Sequence, residues 1–202
     1  MSSIIVAGGQ GTRIGREKAT LEIAGQSLLE RTIHRLSKLD TEIILVLAQG
    51  QKNPLTKPFP NVKIVADVYA GRGPLVGIYS GLKESSDQYS VAVACDMPFL
   101  NTDLLRYMAG LAPGYDAVVL RIEGMIEPLH AVYSKSCLDA IAAMIEKGRS
   151  KVKDLFDRVR VRYVQEAEID RLDPERLSWF NINTPEDFRK AEDLLSRESH
   201  PE

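Results

Sequence analysis

The chain has 202 residues, is 44% hydrophobic and 27% charged, and carries a net charge of -2. That length suits one α/β domain, residues 1–202, with a core large enough to need no disulfide staples. The near-neutral balance excludes a general attraction to nucleic acid, and no apolar run is long enough to cross a bilayer.

Residues 3–7 (SIIVA) form a short β-branched run that ends in glycines and reads as a buried strand. The start of the chain has no charged, apolar and cleavage regions in succession, so the cytoplasm is the expected location. Ser27 precedes a helical stretch with Leu29, Ile33 and Leu36 on one face. Residues 42–48 (EIILVLA), 61–66 (NVKIVA) and 90–95 (SVAVAC) read as further buried strands. Between them lie a polar loop at 50–60, a Gly- and Pro-rich turn, and a helix marked by Leu75, Ile78 and Leu82. Asn101 or Thr102 is placed to cap the next helix, through Leu111.

Residues 116–121 and 128–133 read as strands, 135–147 as a helix closed by Gly148, and 151–157 as a second short helix. In RVRVRY the alternation sets Arg158, Arg160 and Arg162 on the solvent face of a strand at 159–164. Thr184 is a good N-cap, Pro185 suits the first helical position, and Asp187 stands where a capping box usually has Glu or Gln. Strands alternating with helices predict a mainly parallel sheet covered on both faces, with the pairing of residues 121–180 left open. Cys95 and Cys137 are far apart and in no metal spacing, which predicts buried, reduced thiols.

The first strand runs into VAGGQGTRIGREKAT, residues 6–20, with four glycines, two arginines and a lysine. Glycines let backbone N–H groups turn toward an anion, and the cations neutralise it. The loop is not a P-loop, because Gly15 is followed by Arg16 rather than Lys-Ser/Thr. It is not a dinucleotide fingerprint either, because Ile14 stands where the third glycine belongs.

Ligands in open α/β sheets bind at the carboxyl ends of strands. Three features fall there: the glycine loop, Asp67 and Asp96. Polyphosphate transfer uses a divalent ion, and magnesium takes one or two carboxylates plus phosphate oxygens. Asp96, in CDMP, is the candidate ligand; the bland alternative is a turn-forming Asp. Gly73 and Pro74, in GPLVGI, are either a backbone wall against a base or simply a helix start.

The pattern G-G-x-G-x-R-x-G-x-x-K resembles the signature of nucleotidyltransferases. With CDMP, GPLVGI, EPLHAVY and FNINTPED in order, the chain resembles the molybdenum cofactor guanylyltransferases along nearly its whole length. The resemblance implies a three-layer Rossmann-like nucleotidyltransferase fold, α/β in class. It implies transfer of GMP from GTP to the phosphate of molybdenum-molybdopterin, release of pyrophosphate and use of Mg2+. Carried over by position, Ala7, Gly8, Gly9, Gly11, Lys18, Asp67, Gly73, Pro74 and Asp96 would bind GTP. Lys18, Arg13 and Asp96 would carry the chemistry, and Asp96 would hold the metal. His130, Asn181 and Asn183 are candidates for the pterin side; the structural alternatives are a satisfied strand histidine and asparagines used for capping and turns. The family often has Asn at the end of the second strand, where this chain has Leu47 with Gln49 nearby. The double glycine favours GTP over CTP. Transient contacts with molybdopterin-transfer proteins and molybdoenzymes are implied as well, with neither nucleic acid nor membrane as a partner.

Overall fold

The computed structural model describes residues 1–8, 18–69 and 73–198. Four runs form one half of a seven-stranded sheet, out to its edge: β1 (Ser2–Val6), then, after the short β2 (Glu22–Ile23) and β3 (Gln26–Ser27), β4 (Ile43–Leu47), β5 (Val62–Ala66) and β6 (Tyr89–Ala94). The rest are β7 (Ala117–Ile122), β8 (Met125–Ser134) and β9 (Val161–Val164). The order is β5-β4-β1-β6-β8-β7-β9, with β2 and β3 pairing apart as a hairpin. Pairing is parallel except where β8 runs antiparallel to both of its neighbours, so the sheet is mainly parallel, as expected.

Strands buried on both faces read as continuous apolar runs because alternate side chains serve opposite layers. Ile5, Leu45 and Val93 pack with Leu29, Ile33 and Leu36 of α1 (Leu28–Ser37) and with Leu104 and Met108 of α3 (Thr102–Gly110). Ile4, Val46 and Ala92 pack with Leu75, Ile78 and Leu82 of α2 (Pro74–Glu84) and with Ile141 and Met144 of α4 (Leu138–Glu146). The result is three layers.

Two glycines let α2 lie close on the central strand. A Cβ at Gly77 would stand 2.6 Å from Val6 Cγ1, and one at Gly81 would stand 2.5 Å from Ile4 Cγ2. A side chain at either place needs the helix to move outward. Gly77 is thus a packing residue, and the start of α2 is brought to the end of β1.

The caps follow the sequence. Asn101 caps α3, its Oδ1 accepting from the backbone N–H of Asp103 and Leu104 at 3.0 Å each. After the short α5 (Glu166–Ile169), α6 (Pro185–Glu198) opens on a reciprocal box. Asp187 N–H donates to Thr184 Oγ1 at 3.1 Å, and Thr184 N–H donates to Asp187 Oδ2 at 2.8 Å. Aspartate is long enough to close a motif more often closed by glutamate.

Two features depart from expectation: β5 is an exposed edge strand rather than a buried one, with Lys63 and Ile64 open to solvent, and a hairpin stands where a loop was expected. The β2–β3 hairpin was hidden in a stretch that reads only as a loop before a helix; it turns through Ala24 and Gly25, both with positive φ. Residues 180–183 have no strand structure, and Ile182 N–H donates to the Asp96 carbonyl at 3.2 Å. Ile182 also joins Ile23, Leu28, Phe99, Ala191 and Leu195 in a third apolar cluster, which fastens α6 to the hairpin.

Candidate active site

The chain passes from β1 to β4 and β5 on one side, then returns to β6 on the other side of β1. The sheet therefore reverses its winding between β1 and β6, and a crevice opens at their carboxyl ends. A cleft of about 340 Å³ occupies this place. Ala7 and Gly8 line it from β1, Asp96 from β6, and Gly73 and Pro74 from the start of α2. Glu127 and Leu129 of β8, with Asn181 and Asn183 of the tail, form its other side.

Asp96 is held rigidly. The carbonyl of Cys95 accepts from Thr32 Oγ1 of α1 at 3.3 Å, and the carbonyl of Asp96 itself accepts from Ile182. The following residues, Met97 through Leu100, are all buried. An Asp serving only as a turn former needs none of this support.

Gly8 is tightly seated. A Cβ there would stand 3.0 Å from the Ala48 nitrogen and 3.2 Å from Asp67 Oδ2. Asp67 follows β5 and so stands on the opposite side of β1 from Asp96. Ser80 Oγ donates to its Oδ1 at 3.2 Å, and Gln49 Nε2 donates to its carbonyl at 3.0 Å. Burial pushes its carboxyl up to about 6, against the lowering effect of the Ser80 hydrogen bond. Leu47 is buried in the core, and Gln49 supplies the polar group at this place by fixing the Asp67 backbone.

Gly73 has φ of 74°, which a residue with a Cβ rarely adopts, and Pro74 takes the first helical position. The positive end of α2 thereby meets the cleft, where it favours an anion. Ala19, in the 3-10 turn Lys18–Thr20, lines the same cleft, so the backbone of Lys18 is at its rim. Gly9, Gly11, Arg13 and the side chain of Lys18 lie outside the described residues.

His130 is not at the cleft. It is fully buried, and its Nε2 hydrogen-bonds Ser178 Oγ at 2.6 Å. Burial pushes its imidazole down to about 4, so the ring is neutral at physiological pH. Its neighbour Leu129 takes the place facing the cleft. His130 ties β8 to the tail through Ser178, whose N–H donates to Asp173 Oδ2 at 2.9 Å, while its own Nδ1 is buried without a hydrogen-bond partner among the described residues. Ser178 Oγ also accepts from Asn101 N–H at 2.8 Å.

The residue missed from sequence is Glu127. Burial raises its carboxyl above the ordinary range, and the negative charge of Asp96 adds to this. The lone signal was Pro128 inside a strand, which marks a bulge. Along β7, the partner changes from Ala131 opposite Val119 to Glu127 opposite Leu120, leaving residues 128–130 outside that ladder. Bulges re-aim side chains beside active sites.

The MobA-like NTP transferase domain matches residues 3–164. The chain belongs to the MobA-like NTP transferase family. The match covers both walls of the cleft as far as β8 and stops short of the tail that carries Asn181 and Asn183. Relatives in the family align across that tail. A probable molybdenum cofactor guanylyltransferase of Pelotomaculum thermopropionicum is 37% identical over 94% of this chain and 91% of its own length. One of Methanosarcina mazei is 40% identical over 93% and 88%. The crystal structure of molybdopterin-guanine dinucleotide biosynthesis protein A from Archaeoglobus fulgidus superposes with a TM-score of 0.85 at 30% identity, covering 98% of this chain and all of that one. A cytidylyltransferase of Thermus thermophilus, 19% identical with a TM-score of 0.71, shares the fold. As a MobA-like NTP transferase, the chain is a nucleotidyltransferase.

A divalent ion fits this cleft. Among the described residues no three His, Cys, Asp or Glu side chains converge on one point. Asp96, at the end of β6, is the carboxylate placed to hold the ion. An ion here would take one or two protein oxygens and draw the rest of its shell from phosphate and water, the arrangement magnesium favours. No described helix is long and apolar enough to span a membrane.

Proposed function

We propose that the whole chain works as a single guanylyltransferase unit. It transfers GMP from GTP to the phosphate of molybdenum-bound molybdopterin, releasing pyrophosphate and forming molybdopterin guanine dinucleotide. The observation that carries this reading is the meeting of Gly8, the start of α2 and Asp96 at the crevice between β1 and β6. The names of the relatives that align over nine-tenths of the chain supply the nucleotide and the acceptor.

Gly8, with no side chain, lets the nucleotide approach the backbone, and Gly9 and Gly11, which follow it in sequence, are assigned the same part. Asp67 accepts from the guanosine on the β5 side, while Gly73 and Pro74 set the positive end of α2 toward the phosphates. Arg13 and Lys18 reach the triphosphate and stabilise charge that grows on the α-phosphorus oxygens and the departing pyrophosphate. Asp96 would hold Mg2+, which when bound neutralises the polyphosphate oxygens and aligns the displacement. The acceptor phosphate is already anionic at neutral pH, so the chain needs no strong base; alignment is the main contribution. Asn181 and Asn183 line the acceptor side. A reaction of this kind belongs in the cytoplasm, with passing contacts to molybdopterin-transfer proteins and molybdoenzymes.

The test is direct. Purified protein is given GTP, magnesium and molybdenum-loaded molybdopterin, and pyrophosphate and dinucleotide are measured, with CTP as the control. Stoichiometric products from GTP support the reading. GTP binding without pyrophosphate release would leave a delivery module instead, and equal turnover of CTP would overturn the assignment of the base.

A further inference from the structure

The β8 excursion gives Glu127 a role that phosphate chemistry does not use. Its Oε1 accepts the backbone N–H of Leu129 at 3.2 Å, which fixes the carboxylate from within the bulge. Tyr133 fixes the bulge in turn, its hydroxyl donating to the Pro128 carbonyl at 2.7 Å. Glu127 Oε2 makes no other hydrogen bond among the described residues, in a side chain that lines the cleft. Asn181 presents a second acceptor. Its Nδ2 donates one hydrogen to the Trp179 carbonyl at 3.1 Å, which fixes which end of the amide is the nitrogen and leaves Oδ1 as an acceptor. Leu129 adds apolar surface to the same cleft.

This side of the cleft is therefore rich in acceptors, and its carboxylate repels a phosphate. It suits the edge of a flat ring that offers adjacent N–H donors, since a carboxylate accepts from two at once. A 2-amino-4-oxopyrimidine edge has them: a ring N–H beside an exocyclic amine. Pterin and guanine both carry that edge. Place decides between them. Glu127 lies on β8, across β6 from β1, whereas Gly8 and Asp67 lie toward β4 and β5. We propose that Glu127 is a specificity-determining residue that reads the amino-oxo edge of the acceptor's pterin ring, with Asn181 as a second acceptor and Leu129 against the ring face. This rests on molybdenum-bound molybdopterin being the acceptor.

The experiment compares 6-hydroxymethylpterin with 6-hydroxymethyllumazine as competitive inhibitors. The lumazine has a carbonyl in place of the amine, so one donor is lost. The wild-type enzyme is expected to prefer the pterin by about tenfold, the scale set by one buried hydrogen bond to a charged group. Glu127→Gln is expected to lose that preference and to raise the KM for molybdenum-molybdopterin about tenfold or more. Calorimetric affinity for GTP with magnesium is expected to stay within about twofold. A wild-type enzyme that turns over without preferring the pterin overturns the role of Glu127, and that arm needs no variant. A matching loss of GTP affinity in a folded variant also overturns it, in favour of the guanine edge or the metal. A wild-type protein that binds the pterin more tightly than the lumazine by calorimetry yet releases no pyrophosphate leaves Glu127 standing and removes the transfer reaction instead.

Discussion

Asp96 divides the cleft into two sides that are built differently. On the β1 side every strand is parallel, β1 and β4 are buried on both faces, and cleft-lining groups sit where strands end. On the β8 side one strand runs backward, a bulge displaces three residues, and a tail without strand structure closes the wall. In the proposed reaction the first side holds the triphosphate. The second is made of parts that can differ without disturbing the sheet. Chemistry common to the fold is placed by topology, and selectivity is placed by local irregularity.

Removing the residue at the divide is expected to have the largest effect. Asp96→Ala should lower guanylyl transfer about a thousandfold, the scale of lost charge stabilisation at a transferring phosphoryl group, while circular dichroism stays native. Near-normal turnover with magnesium present would break the division.

The two sides also carry buried groups of opposite pH response. His130 has its pKa lowered to about 4. Its contribution is present above the unfolded value near 6.5 and is lost as pH falls toward 4, by about 3 kcal/mol. Asp67 is raised to about 6. Its contribution is present below about 4 and is lost as pH rises through 6, by about 2 kcal/mol. Urea unfolding across this range should show Asp67→Asn gaining stability above pH 6 but not near pH 4. His130→Gln should flatten the loss on the acid side. Parallel pH curves for wild type and both variants would erase the contrast.

Backbone contact gives the next test. Gly77→Ala should cost about 1–3 kcal/mol in urea unfolding, because the added methyl meets Val6 in a packed core. The smallest expected effect is on the β8 side. Tyr133→Phe removes the donor to the Pro128 carbonyl and should cost about 1 kcal/mol. It should also raise the acceptor KM more than the GTP KM, since the bulge carries Glu127; equal changes would show that the bulge serves both substrates.

The same contrast explains what could be read from sequence. Runs such as IILVL and SVAVA show their burial directly, because both faces are apolar. The order of strands around β1 then brings Gly8 and Asp96 together, as their positions at strand ends predict. On the other side a polar residue in a strand can point either way. His130 and Glu127 are three positions apart, and a bulge decides which of them lines the cleft. Only the proline at 128 hinted at it. The Thr184 box was legible because its partners are local, whereas the β2–β3 hairpin owes its place to α6, which lies far along the chain.

That distant partnership has a practical outcome. Ile23 follows the glycine-rich stretch of the sequence by only a few positions, and Ile182 is bonded to Asp96; one greasy clasp made with the last helix holds them both. Trimming the protein before Pro185 would thus loosen donor and acceptor grips together, so an affinity tag or fused partner is better joined beyond the clasp than in place of it.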